Sequence, residues 1–244
     1  MLRRYALLLY FVLAFAGFWG CLALAPVATM LPFLGALSPG VAAVVVCGFT
    51  EGEPAVRALV RRLGEWRVGP QWYLAAFGLP VLEGMLAIGI ASALGSTTAT
   101  RVGTLIPEAW VIFVFAAGEE LGWRGYALPR LLARHKPLTA SLVLGTLHAA
   151  WHGPLFLPGQ PLHGVPVLPY WAWVASQSVL VTWIFLHTRG SVLMPTLLHG
   201  TSNLAMLLYR GIGRGWTPWL RPPISVAMAL TVLALDTRLR RRMA

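Results

Sequence analysis

The residues best equipped for chemistry fall in four places, each inside or beside a long apolar run. Gly118-Glu119-Glu120-Leu121-Gly122-Trp123-Arg124 carries two acids and a base. On a helix Glu120 and Arg124 stand at i and i+4, close enough to pair. Glu119 then lies on a different face and stays free to act. His148-Ala149-Ala150-Trp151-His152-Gly153-Pro154 sets two histidines on one helical face, a spacing that could hold a metal between them. Pro154 interrupts the helix just after His152 and opens backbone near it. His199-Gly200-Thr201-Ser202-Asn203 repeats the i, i+4 arrangement with a histidine and an amide. Glu83 stands alone in an apolar run, with a His or Arg of a neighbouring helix as its candidate partner, and no role is assigned to it.

An ionised side chain at the middle of a membrane helix costs about 2.5–3.5 kcal/mol on insertion scales, so each of these groups is a functional candidate. A glutamate, two histidines and an asparagine on three helices supply a base, metal or oxyanion ligands and a hydrogen-bond donor. That inventory suits hydrolysis of an amide by an activated water. An aspartyl dyad is excluded, because Asp236 is the only aspartate, and the His-Glu-x-x-His motif is absent. A serine dyad through Ser176, Ser191 or Ser202 stays open. So do a catalytically silent scaffold that binds a partner in the same cavity, and a transporter using Glu83, Glu119 and the histidines as a proton relay. No inverted repeat of the kind many transporters carry is visible.

The elements that must position these residues are set by composition. Of 244 residues 57% are hydrophobic and 11% charged, and the mean hydropathy is +0.70. A soluble domain carries about a quarter charged residues, so this chain uses lipid as its solvent. Lipid admits only helices and closed barrels, and the apolar runs here are long and continuous, which predicts helices. The expected fold is an all-α polytopic transmembrane bundle of about eight spans, forming a single membrane-embedded domain over residues 1–244. The spans run near Tyr5–Ala25, Pro32–Phe49, Gln71–Leu94, Ile106–Glu120, Leu138–Leu157, Tyr170–His187, Val192–Tyr209 and Trp216–Leu235, with the fourth continuing as a helix into the polar stretch after it.

The net charge of +11 raises the question of nucleic acid, but the basic residues sit in short loops and at both ends, so no nucleic-acid partner is expected. With the N-terminus inside, the segments 50–70, 122–137 and 188–191 and both chain ends hold most of the lysines and arginines. Only Arg101, Arg210, Arg214 and Arg221 fall outside. This asymmetry predicts cytoplasmic N- and C-termini and a multi-pass protein of the cell (inner) membrane. Residues 1–25 imitate a signal peptide and are expected to stay as an anchor. Glu51–Gly69, mixing apolar and basic residues, is expected to form a short helix on the inner leaflet, and Pro158–Pro169 an extracytoplasmic turn. Cys21 and Cys47 lie in apolar runs and form no metal motif. Oligomeric state is not encoded in any visible pattern.

Glu119-Glu120-x-x-x-Arg124, then His152, then His199-x-x-x-Asn203 resembles the CAAX protease and bacteriocin-processing (CPBP) family of multi-helix membrane proteases. That family includes prenyl-protein endopeptidases and bacterial immunity-type proteins. The run Gly118–Leu132 and the pattern Trp151-His152-Gly153-Pro154-Leu155-Phe156 resemble its bacterial branch. The resemblance covers Glu119–Asn203 in the family's order. It implies an endopeptidase acting on a membrane-associated peptide or protein, in which Glu119 and His152 activate the water and Glu120 and Arg124 form a supporting ion pair. His199 and Asn203 would then bind the developing oxyanion, or His199 would help hold a metal. One divalent metal, zinc by its taste for paired imidazoles and a carboxylate, would be held by His152 and His199 with Glu119. At His148 the chain departs from the family, which has an aromatic there, so His148 is either a further ligand or a filler of that space.

Overall fold

Apolar runs broken by few turn residues fold as helices, since each backbone N–H finds its acceptor four residues back. The computed structural model describes residues 2–25, 28, 30–95, 106–209, 217–236 and 239, and every regular element among them is helical. In chain order these are α1 (Leu2–Ala23), α2 (Leu31–Ala36), α3 (Ser38–Glu51), α4 (Glu53–Arg61), α5 (Pro70–Ala93), α6 (Ile106–Glu120), α7 (Leu128–Leu132), α8 (Pro137–Trp151), α9 (Val167–His187), α10 (Leu193–Tyr209) and α11 (Thr217–Leu235). Two are long and apolar enough to cross a bilayer by length and composition, over Arg4–Ala23 and Pro70–Ala93; α3 and the Trp219–Leu235 part of α11 are shorter apolar helices.

The expected helix between the second and third runs is α4, closed by a 3-10 turn at Arg62–Gly64. Leu59 is buried under it while Arg57 and Arg61 stay exposed. α1 packs on α3, α8 on α9, α5 and α6 on α10, and α9 on α11. Aromatic residues knit the first half of this packing. Tyr10 and Phe11 of α1 meet Trp123, and Phe18 stacks on Trp151 at 4.1 Å between ring centroids.

One element decides where the site lies. α6 does not end at its acids but runs on through a π-helical stretch, Leu121–Ala127, into α7. Every residue of that stretch is buried, so its backbone has no water to bond and stays helical, with the wider i→i+5 turn that often marks functional sites. Gly122 makes the packing possible: a Cβ there would lie 2.5 Å from the Pro39 carbonyl, so the start of α3 rests directly on the π turn.

The fourth span continues as a helix past its acids, which leaves Glu119 near the midpoint of the run Ile106–Leu132. Two of the charges used for orientation are corrected by this geometry. Arg124, counted from sequence as a cytoplasmic loop charge, is 2% exposed inside the bundle. Arg221, counted as an outer-loop charge, likewise lies within α11 and is buried. Of the other charges used for orientation, the Arg3 side chain and Arg101, Arg210, Arg214, Arg238 and Arg240–Arg242 lie outside the described residues, as does Trp216 at the expected start of the last span.

Candidate active site

Glu119 and Glu120 enter the bundle from α6, His148 and His152 from the end of α8, and His199 and Asn203 from α10. Their depths agree. Glu119 is about 20 Å from the Leu132 end of its helical run, and His148 about 16 Å from the start of α8, at 1.5 Å per residue. Pro154 ends α8 at Trp151, and a 3-10 turn at Gly153–Phe156 follows. His152 therefore sits at a helix terminus, its ring Nδ1 3.1 Å from the His148 carbonyl.

The side chains converge. His148 Nε2 lies 3.0 Å from Glu119 Oε2, and His199 Nε2 lies 4.0 Å from the same oxygen. Glu120 Oε1 accepts from Arg124 Nη1 at 2.8 Å and stands 2.8 Å from His199 Nδ1. With Glu120 ionised beside Arg124, His199 donates through Nδ1–H. The expected i, i+4 ion pair is thus formed, fully buried, and it also grips a histidine from α10. Both acids, Arg124, all three histidines, Ser202 and Asn203 line one cavity of about 450 Å³.

The residues fit a divalent metal, and the set that closes differs from the sequence expectation. Glu119, His148 and His152 each offer one ligand atom, all within 4.8 Å of one another. Two imidazoles and a carboxylate form a donor set that zinc takes in hydrolases. The His152 Nδ1–H held by the His148 carbonyl leaves Nε2 its lone pair, the usual outer-shell arrangement of a ligating histidine. His148, left open from sequence, stands in the cluster, while His199 is turned toward Glu120. The π turn brings Trp123 under the His148 ring, stacked at 5.1 Å, and this fixes the ring plane.

Of the serine candidates, Ser191 Oγ donates to the Glu65 carbonyl and Ser176 is bonded to the Trp173 carbonyl and Ser225, whereas Ser202 Oγ accepts from Arg221 Nη2 at 3.3 Å and lines the cavity. Glu83 does find an arginine: Arg221 Nε lies 3.0 Å from its Oε1. Sequence reasoning missed Tyr170, Trp173 and Gln177, which bring one face of α9 into the cavity. Gln177 carries the single carboxamide in that apolar helix, and that signal could have found it.

Residues 101–205 match the family described as type II CAAX prenyl endopeptidase Rce1-like. A relative, the CAAX prenyl protease 2 of Methanococcus maripaludis, is 27% identical over 107 residues, which cover 41% of this chain and 39% of that protein. The chain thus aligns with about two fifths of the relative's length. The matched segment carries Glu119, Glu120, Arg124, both α8 histidines, His199 and Asn203. The relative is archaeal, and the bacterial branch expected from sequence is not supported by it.

Proposed function

We propose that this chain, whose residues 101–205 form a segment of the CAAX-protease type, is an intramembrane endopeptidase of about eight spans. The observation that carries the reading is the Glu119 carboxylate standing 3.0 Å from His148 and 4.0 Å from His199, with His152 and Asn203 around one cavity.

In this mechanism Glu119 takes a proton from a water held against His152 Nε2 as the water oxygen attacks the scissile carbonyl carbon. The new oxyanion is met by donors from α10: the Asn203 amide, and Nε2–H of a protonated His199 whose Nδ1–H stays on Glu120. Collapse breaks the C–N bond, and Glu119 returns its proton to the departing amine. His148 holds the carboxylate in place through its Nε2–H. A zinc ion held by Glu119, His148 and His152 would replace that His148 Nε2 proton as the link to the carboxylate, and would supply Lewis acidity toward the water and the carbonyl.

Access follows from burial. The cavity floor at Glu120, Arg124 and Leu198 is at most 2% exposed, whereas Phe33 on its rim is 51% exposed. Phe33 in α2 and Pro161 in the α8–α9 connection lie at the end of the bundle opposite α4, Arg134 and Lys136. With those basic residues on the inner leaflet, the mouth opens in the outer half of the membrane. Its walls at Phe18, Ile112, Phe115, Leu155 and Met206 suit a peptide with an apolar or lipid-bearing flank.

The test is Glu119→Gln in purified protein, assayed against a mass-spectrometric library of decapeptides that includes farnesyl-cysteine members. Cleavage is expected to fall about 10²–10⁴-fold with the melting temperature nearly unchanged. A variant as active as the parent refutes the reading. Retention of the biological effect without cleavage would indicate a scaffold, and loss of ion flux a transporter.

A further inference from the structure

Behind the α9 wall of the cavity lies a second buried polar network that the hydrolytic chemistry does not use. Glu83 of α5, 1% exposed, receives Arg221 Nε of α11 at 3.0 Å and Trp173 Nε1 at 2.9 Å, both on Oε1. Its other oxygen, Oε2, receives Gln177 Nε2 at 2.8 Å. The same Gln177 nitrogen also donates to Ser225 Oγ at 3.0 Å. Both amide protons of Gln177 are therefore spent on the side away from the cavity. A carboxylate paired with a guanidinium only accepts, so the amide cannot turn over: the flipped form would set its carbonyl oxygen against Glu83. Gln177 nonetheless lines the cavity, and its carbonyl oxygen has no partner among the described residues and is not sealed from solvent.

Around the cavity Arg124, His199 and the Asn203 amide offer N–H groups, the Glu119 and Glu120 carboxylates face His148, His199 and Arg124, and most of the remaining wall is apolar. An extended peptide entering such a space gives up water from its own N–H groups, each of which needs an acceptor. We propose that Gln177 is a substrate-binding residue, its locked carbonyl accepting a hydrogen bond from one backbone N–H of the peptide. This rests on the endopeptidase reading. Glu83, Arg221 and Ser225 are positioning residues in this scheme, acting through the carboxamide. Tyr170, one wall position of the same helix, has its ring 5.8 Å from that of His152. Gln177 lies two helical turns further along α9, about 10 Å away along the axis, and so contacts the peptide away from the scissile bond.

The experiment is an amide-to-ester scan on the best decapeptide cleaved from the library, replacing each N–H by O at every bond except the scissile one. In the wild type one ester raises KM about 3- to 10-fold, the worth of one hydrogen bond, and leaves kcat nearly unchanged. Gln177→Met raises KM for the parent peptide by the same factor and is indifferent to that ester. Ser225→Ala leaves the Glu83 contact but removes the second hold on the Gln177 amide nitrogen, so the carboxamide rocks about the remaining bond and the ester penalty shrinks; it carries the test if Gln177→Met does not fold. An ester penalty that persists undiminished in the variants, or no sensitive position in an active wild type, overturns the Gln177 assignment alone. A wild type that cleaves no library member overturns the endopeptidase reading and this inference with it.

Discussion

Replacing Glu120 by methionine tests the buried ion pair and the histidine it holds in one series of variants. Glu120 is 0% and Arg124 2% exposed, so Glu120→Met strands an arginine in the bundle interior. Breaking a buried pair in this way costs about 3–5 kcal/mol. At about 2–4 °C per kcal/mol for a chain of this size, the apparent Tm in detergent should fall by roughly 6–20 °C. Adding Arg124→Met removes the stranded charge, and an apolar pair of similar volume is close to neutral, so the double variant should regain most of the loss. Cleavage should not return with stability. Glu120 Oε1 also holds His199 Nδ1 at 2.8 Å, and removing the carboxylate that orients a catalytic histidine lowers rates by about 10⁴-fold in a serine protease. Differential scanning fluorimetry and the peptide assay, run on the same preparations, separate the two effects. A double variant that melts as low as the single, or one that cleaves at the wild-type rate, refutes the reasoning.

Metal content should follow the geometric cluster. Zinc bound by purified protein, measured by inductively coupled plasma mass spectrometry, is expected to be lost in His148→Ala and in His152→Ala and kept in His199→Ala; loss in His152→Ala and His199→Ala with zinc kept in His148→Ala would restore the pairing of His152 with His199 expected from sequence. Access should follow burial. With Cys21 and Cys47 replaced by alanine, Pro161→Cys should react with a membrane-impermeant maleimide in intact cells, and Arg61→Cys, at a side chain 81% exposed, only after permeabilisation. Labelling on the opposite sides would place the cavity mouth toward the cytoplasm.

The sequence by itself determined the helical class, because a chain 57% hydrophobic and 11% charged satisfies its backbone in lipid only as helices or a closed barrel, and its long unbroken apolar runs suit helices. It also determined the local pairs. Glu120 with Arg124, His148 with His152, and His199 with Asn203 are fixed by helical period alone, and the first of these appears as a 2.8 Å contact. What lies across helices was not legible. Glu83 meets Arg221 over a separation of 138 residues, and no local periodicity encodes which helix faces will touch. For the same reason Arg124 and Arg221 were counted as loop charges: only the π turn that carries α6 into α7, and the packing of α11 against α5 and α9, take them out of water. Tertiary structure alone decided that His148 stands beside Glu119 while His199 turns to Glu120. Two imidazoles with equal helical credentials were distinguished by the stacking of Trp123 on one and the buried carboxylate that holds the other.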